Sequence, residues 1–476
     1  MVFSSIIFLL LFLPVVTIIY YTIRKEFRNG VLLVASLLFY TWGEPKYIII
    51  MLSSIIINYL FAVCINFLQE KNADKKYQRI SLILCIVINI GLLVIFKYTN
   101  FMVDNINVVF RLFGKKAIEI GAIALPIGIS FYTLQALSYV VDVYRKTTKV
   151  QKNLFDLGLF ISLFPQLIAG PIVRYHDIAD QLKNRTSNSN DFAYGIRRFI
   201  IGLGKKVIIA NTMGSVADSV FCIPNNQLSL SLSWLGIISY SIQIYYDFSA
   251  YSDMAIGLGQ MFGFKFLENF NYPYISKSIT EFWKRWHISL SNWFKDYLYI
   301  PLGGNRKGNL KTYRNLLIVF LCTGIWHGAS WNFLFWGIYY GVFLILERMK
   351  FIYFDDRLGK SIGRVYTLLV VLIGWVFFRS DSFSYSIGFI KSMFGISHGT
   401  PLYDINFYCT SKYIIVFICS ILGCTPLISK LFHDFENSGS GKINCIIRDT
   451  FLVITLFISI MFLSSNTYNP FIYFRF

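Results

Sequence analysis

Apolar and polar positions alternate along this chain on the scale of a bilayer. Runs of roughly 20 apolar residues, the length at which a helix crosses about 30 Å of hydrocarbon, recur about twelve times. They centre near residues 13, 36, 57, 88, 131, 164, 205, 242, 320, 339, 371 and 455, with a further run near 420, and several are short or interrupted by Gly and Pro. The pattern predicts an all-α polytopic membrane protein with about twelve transmembrane helices. No repeat and no soluble insertion is visible, so residues 1–476 read as one membrane-embedded domain.

The first run has no basic residue ahead of it and no small-residue cleavage pattern behind it, so it reads as a first transmembrane helix rather than a removable signal. Arg24, Lys25 and Arg28 follow at once and place the N-terminus outside, because basic residues beside a span prefer the cytoplasm. An even number of crossings returns the C-terminus to the same face.

Two segments break the pattern. In residues 280–308, Phe282, Trp286, Leu290, Trp293 and Tyr297 recur at helical spacing, while Glu281, Lys284, Arg285, Asn292 and Lys295 gather opposite. This predicts one amphipathic helix in the membrane interface, over about residues 282–297, with Thr280 as its N-cap and Pro301, Gly303 and Gly304 as its stop. His287 falls at the edge of the aromatic face, with Trp283 and Ser291 four residues to either side. The second segment contains no Lys, Arg, Asp or Glu between Arg314 and Glu347, yet it carries His327. An imidazole at membrane depth either bonds a neighbouring helix or faces a cavity. Gly324 and Gly328 allow close backbone approach or a helix break, and Trp326, Trp331 and Trp336 supply aromatic walls.

Composition agrees: 55% apolar, 18% aromatic, 14% charged and a mean hydropathy of +0.56 exclude a water-soluble globule. The net charge of +19 comes from basic residues scattered between apolar runs, which fits anionic membrane lipid and not nucleic acid. Cysteines form no C-x-x-C pair, and there is no G-x-S-x-G, H-E-x-x-H or Walker motif.

The stretches "EFWKRWHISLSNWFKDYLYIPLGGNRKG" and "RNLLIVFLCTGIWHGASWNFLFWGIYYG", with histidines 40 residues apart, resemble the signature of the membrane-bound O-acyltransferase family. The likeness is to its bacterial branch, which acetylates alginate and peptidoglycan and D-alanylates teichoic acids. "YTWGEPKY", "LPIGISFYTLQALSYVVDVYR", "FPQLIAGPIVRY" and "YYDFSAYSDMAIGLGQMFGFKFLENFNYPY" extend it over most of the chain. The resemblance implies that His327 is catalytic and His287 a second active-site residue. It also implies acetyl-coenzyme A as donor with no bound cofactor, a polysaccharide acceptor, an extracytoplasmic esterase-like partner of the SGNH type, and a bacterial plasma membrane location. The chemistry fits, since acyl transfer from a thioester to a hydroxyl needs a base near neutrality and a dry, tunnel-like site.

Trp283, Ser291, Trp326 and Asn332, which flank the two histidines, are the expected substrate-contacting positions. Asp247 and Asp253 either bond the histidines or hold helices together. His176 reads as interfacial, His398 and His433 as loop residues. The ending "FIYFRF" resembles that of the small companion subunit of the D-alanylation system, which makes Tyr473 either an acyl carrier or an aromatic anchor in a tail, residues 466–476, docked at the site mouth. Two rivals remain: D-alanyl transfer to teichoic acid, and, from another class, a transporter or flippase.

Overall fold

The computed structural model describes residues 1–354, 357–396, 404–437, 441–465 and 468–472; His398, Tyr473 and the His433 side chain lie outside them. All regular structure among the described residues is helical. Five helices are long and apolar enough to cross a membrane: Ile48–Glu70, Lys75–Leu112, Ser189–Phe221, Leu358–Arg379 and Ile443–Ser465; Phe8–Thr22 and Ser411–Gly423 are shorter apolar helices. Only 11% of the most apolar window of Ile443–Ser465 is buried in the protein, as expected of a surface that faces lipid. The runs near 36, 131, 320 and 339 form helices of 16 to 19 residues. The run near 164 does not form one helix. It breaks at Leu163, between Leu154–Ser162 and the single turn Phe164–Leu167, because Pro165 cannot continue the preceding helix.

The chain divides into two compact units, Met1–Gly195 with Leu258–Leu267, and Ile196–Gly257 with Glu268–Phe476. In the first unit, helices α1 (Ile48–Glu70) and α2 (Lys75–Leu112) are locked by reciprocal amide bonds. Asn58 Nδ2 donates to Asn89 Oδ1 at 3.0 Å, and Asn89 Nδ2 donates back at 3.1 Å. Side-chain amides serve this purpose between apolar helices because packing against lipid supplies no hydrophobic drive. Helix α3 (Ile129–Tyr144) starts at Gly128, which has φ 78° and whose added Cβ would lie 2.9 Å from the Leu167 carbonyl oxygen. Asp142 on α3 meets His176 of α4 (Tyr175–Asn184) at 2.7 Å from Nδ1.

The second unit buries an aromatic core that includes Tyr240, Trp336, Tyr340 and Trp375. Helix α5 (Leu230–Met261) carries Asp247 and Asp253. Two short helices, α6 (Ile279–Arg285) and α7 (Ile288–Phe294), precede the hairpin of α8 (Asn309–His327) and α9 (Trp331–Arg348), and α10 (Arg357–Arg379) follows. A Cβ on Gly324 would sit 2.3 Å from the Phe333 carbonyl oxygen, and one on Gly337 2.4 Å from that of Phe320. The hairpin therefore packs backbone against backbone, which only glycine permits at these two positions.

Candidate active site

The expected single amphipathic helix over 282–297 is interrupted at its centre. Trp286 is extended and His287 adopts the left-handed conformation, φ 45° and ψ 54°. This region is sparsely used by residues with a Cβ, although His is among those that enter it more often. The neighbouring chain holds it there: Ile288 N donates to Asn269 O at 2.9 Å, Ser289 N and Oγ both donate to Asn269 Oδ1, and Asn271 N donates to Arg285 O. The aromatic side of the segment is nevertheless buried as its spacing implies, with Phe282, Trp286 and Leu290 at most 3% exposed.

The N-cap of α6 is Ser278, not Thr280: Glu281 N donates to Ser278 Oγ at 3.0 Å. The carboxylate of Glu281 accepts from Lys277 N, one residue before the cap. A second carboxylate arrives from the end of α9. Glu347 accepts from Ile279 N at 2.6 Å and from Thr280 N at 2.9 Å, placing negative charge at the positive end of α6. The helix that leads to His287 is thus fastened to the hairpin that bears His327.

His327 is the last residue of α8. Gly328 leaves the helix in an extended conformation, and Ser330 caps α9 by accepting from Phe333 N. The glycines flanking His327 therefore act differently. Gly324 allows the helix contact, while Gly328 ends the helix and lies where a Cβ would strike the Phe333 ring.

His287 and His327 are 4% and 6% exposed. The Trp326 ring contacts both, with centroids 6.3 Å from His287 and 5.0 Å from His327. His327 also contacts Trp336 and Phe378, each at 5.1 Å, and His287 contacts Phe270 at 6.1 Å. Burial pushes the His287 imidazole down to about 3, so it is neutral at physiological pH. The fold buries both imidazoles among aromatic rings, with Trp326 in contact with each.

The expected substrate-contacting residues separate. Trp326 lies between the histidines, and Trp283 joins the same cluster through Trp336 at 5.6 Å. Ser291 Oγ donates to Trp283 O at 3.2 Å, bridging α6 and α7. Asn332 Nδ2 donates to Ser380 O at 2.7 Å, tying the start of α9 to the end of α10. The two aspartates hold structure: Asp253 pairs with Arg198 at 2.8 Å and with Lys205 at 2.7 Å, and Asp247 with Lys206 at 2.5 Å.

The C-terminal segment 468–472 is fastened by the same polar groups. Tyr468 Oη donates to Asp218 at 2.7 Å, Lys206 Nζ to Pro470 O, and Ile472 N to Asp247 Oδ2 at 2.9 Å. Phe471 packs 5.0 Å from Tyr251, and 6.4 Å from Phe248, which in turn touches Trp286. Sequence reasoning overlooked Lys206. Its signal was a pair of lysines inside an otherwise apolar helix, where a charge needs a partner.

Comparison with known proteins now has geometry to meet. The membrane-bound O-acyltransferase family matches residues 146–379, a range that includes both histidines. A probable alginate O-acetylase of Pseudomonas aeruginosa is 45% identical, covering 84% of this chain and 76% of that protein. One from Pseudomonas putida is 39% identical over the whole of both chains. A peptidoglycan O-acetyltransferase of Helicobacter pylori is 37% identical over 83% of this chain and 80% of its own. With a histidine pair buried in an apolar helical frame and these likenesses along nearly its full length, the chain belongs to the membrane-bound O-acyltransferase family.

Proposed function

We propose that this membrane acyltransferase moves an acetyl group from a cytoplasmic thioester, acetyl-coenzyme A, to the outside for O-acetylation of an extracytoplasmic polysaccharide. The observation that carries the reading is the burial of His327 and His287 in contact with the one Trp326 ring. His327 takes the proton of the attacking hydroxyl, and the acyl group is shielded from water by the rings around it. His287, neutral across the working range, positions the acceptor or donor rather than moving the proton.

In this reading residues 1–476 form one membrane-embedded domain of about twelve crossings in a bacterial plasma membrane, with a tunnel that meets its narrowest point at His327. Trp283, Ser291, Trp326 and Asn332 line or support it. Tyr473, two residues beyond the anchored Phe471, takes the acyl group and offers it to an esterase-like partner of the SGNH type, which completes transfer to the glycan. The relatives support acetyl over D-alanyl transfer, since the three compared are named for O-acetylation of alginate or peptidoglycan. Radiolabelled acetyl transfer in vesicles tests the reading. Loss of transfer in His327→Ala with the protein still folded is the expected result, and full activity in that variant rejects it.

A further inference from the structure

Trp336 is fully buried, and its indole Nε1 makes no hydrogen bond among the described residues. Buried tryptophans usually give this N–H to an acceptor, because a donor left unmet away from water is costly. The same is true of two of its ring neighbours. Trp283 Nε1 and Tyr340 Oη are buried without a hydrogen-bond partner, and their rings lie 5.6 Å and 5.1 Å from that of Trp336. Three unmet donors in mutual contact are unusual in a folded interior and call for an acceptor that arrives from elsewhere. Of the three, Trp336 is the one in ring contact with His327, edge-on at 84° and 5.1 Å.

We propose that the Trp336 indole N–H receives the carbonyl oxygen of a short-chain acyl thioester and stabilises it as it becomes an oxyanion beside His327. The inference rests on His327 as the base. An acceptor hydroxyl attacks the thioester carbonyl carbon, forming the new C–O bond as its proton passes to the His327 imidazole. The carbonyl π pair moves onto oxygen, where the Trp336 N–H meets it. Collapse restores the C=O bond and breaks the C–S bond, and the departing thiolate takes the proton back from His327. Donors already in place for a charge that appears only during reaction are among the largest contributors to catalysis. Trp283 and Tyr340 pack against Trp336 and against each other.

The test uses the full-length protein in lipid vesicles with radiolabelled acetyl-coenzyme A as probe. Trp336 is replaced by Phe and, in a second variant, by 3-benzothienylalanine, which keeps the bicyclic shape but has no N–H. The expected result is a fall in kcat of about 10²–10³-fold with KM little changed, and for the benzothienyl variant an unchanged thermal midpoint. If Trp336→Phe fails to fold, the isosteric variant decides. Near wild-type kcat in the benzothienyl variant overturns the proposal. So does lowered stability with kcat retained, which would mean that the N–H merely rests on a neighbouring ring face. His327→Ala separates the two ideas. If it is inactive while the Trp336 variants work, only the donor assignment is lost; if it is fully active, the base reading fails and the proposal falls with it.

Discussion

His176 and His287 occupy opposite environments, and each environment dictates how its ring responds to acid. His176, in the first unit, is about a third exposed and lies between the carboxylates of Asp142 and Asp177 at 2.7 Å and 3.3 Å. The Asp142 bond holds its pKa above the usual histidine value, against a smaller opposing effect of burial. His287, in the second unit, is enclosed by Phe270 and Trp326, and burial pushes it down to about 3. One ring is kept chargeable and serves as a surface tie. The other is kept neutral by its burial.

The linkage signs are opposite. His176 binds its proton more tightly when folded, so its contribution is complete below the unfolded pKa of about 6.5 and is lost as pH rises through the higher folded value. His287 binds its proton less tightly when folded, so its contribution is complete above about 6.5 and shrinks as pH falls toward 3.

Breaking the second environment should have the largest effects. His327→Ala should reduce acetyl transfer by about 10²–10⁴-fold while the purified protein keeps its helical circular dichroism. Next comes His287→Asn, which suits the left-handed backbone but removes the imidazole. At pH 5 it should relieve roughly 2 kcal/mol of destabilisation, read as a smaller drop in thermal midpoint between pH 7 and pH 5 than wild type shows. The acid limb of its activity profile should stay where it is in wild type, since His287 is already neutral there; a displaced limb would contradict the depressed pKa. Gly324→Ala places a methyl against the Phe333 carbonyl and should cost about 1–3 kcal/mol, whereas Gly91→Ala, with nothing within 4 Å of the new Cβ, should be tolerated in the same melting assay. His176→Asn should have the smallest effect, a few tenths of a kcal/mol at pH 6 after solvent screening and less at pH 9. A larger loss at pH 9 than at pH 6 would reverse the sign argued here.

Much of this was legible in the order of residues. Apolar runs near 320 and 339 became α8 and α9, and the one histidine of a charge-free stretch is buried at the end of α8. The break at His287 was not visible, because the aromatic spacing continues across it as if the helix were whole; the distant Asn269 imposes the turn. Ser278 as the cap could have been read, since Ser278 and Glu281 have the spacing of a capping box, but Thr280 stands nearer the aromatic run. The Lys206–Asp247 pair was beyond periodicity, which reports on one helix at a time and not on which helices meet.

Glu347 carries a consequence for how the chain tolerates change. Because its carboxylate fastens the start of α6 to the end of α9, the spacing between the two imidazoles is set through this clamp and through Trp326 rather than by the chain that joins them in sequence. The connector at residues 305–308 is exposed. An epitope spliced between Arg306 and Lys307 should therefore leave the thermal midpoint near that of the unmodified protein.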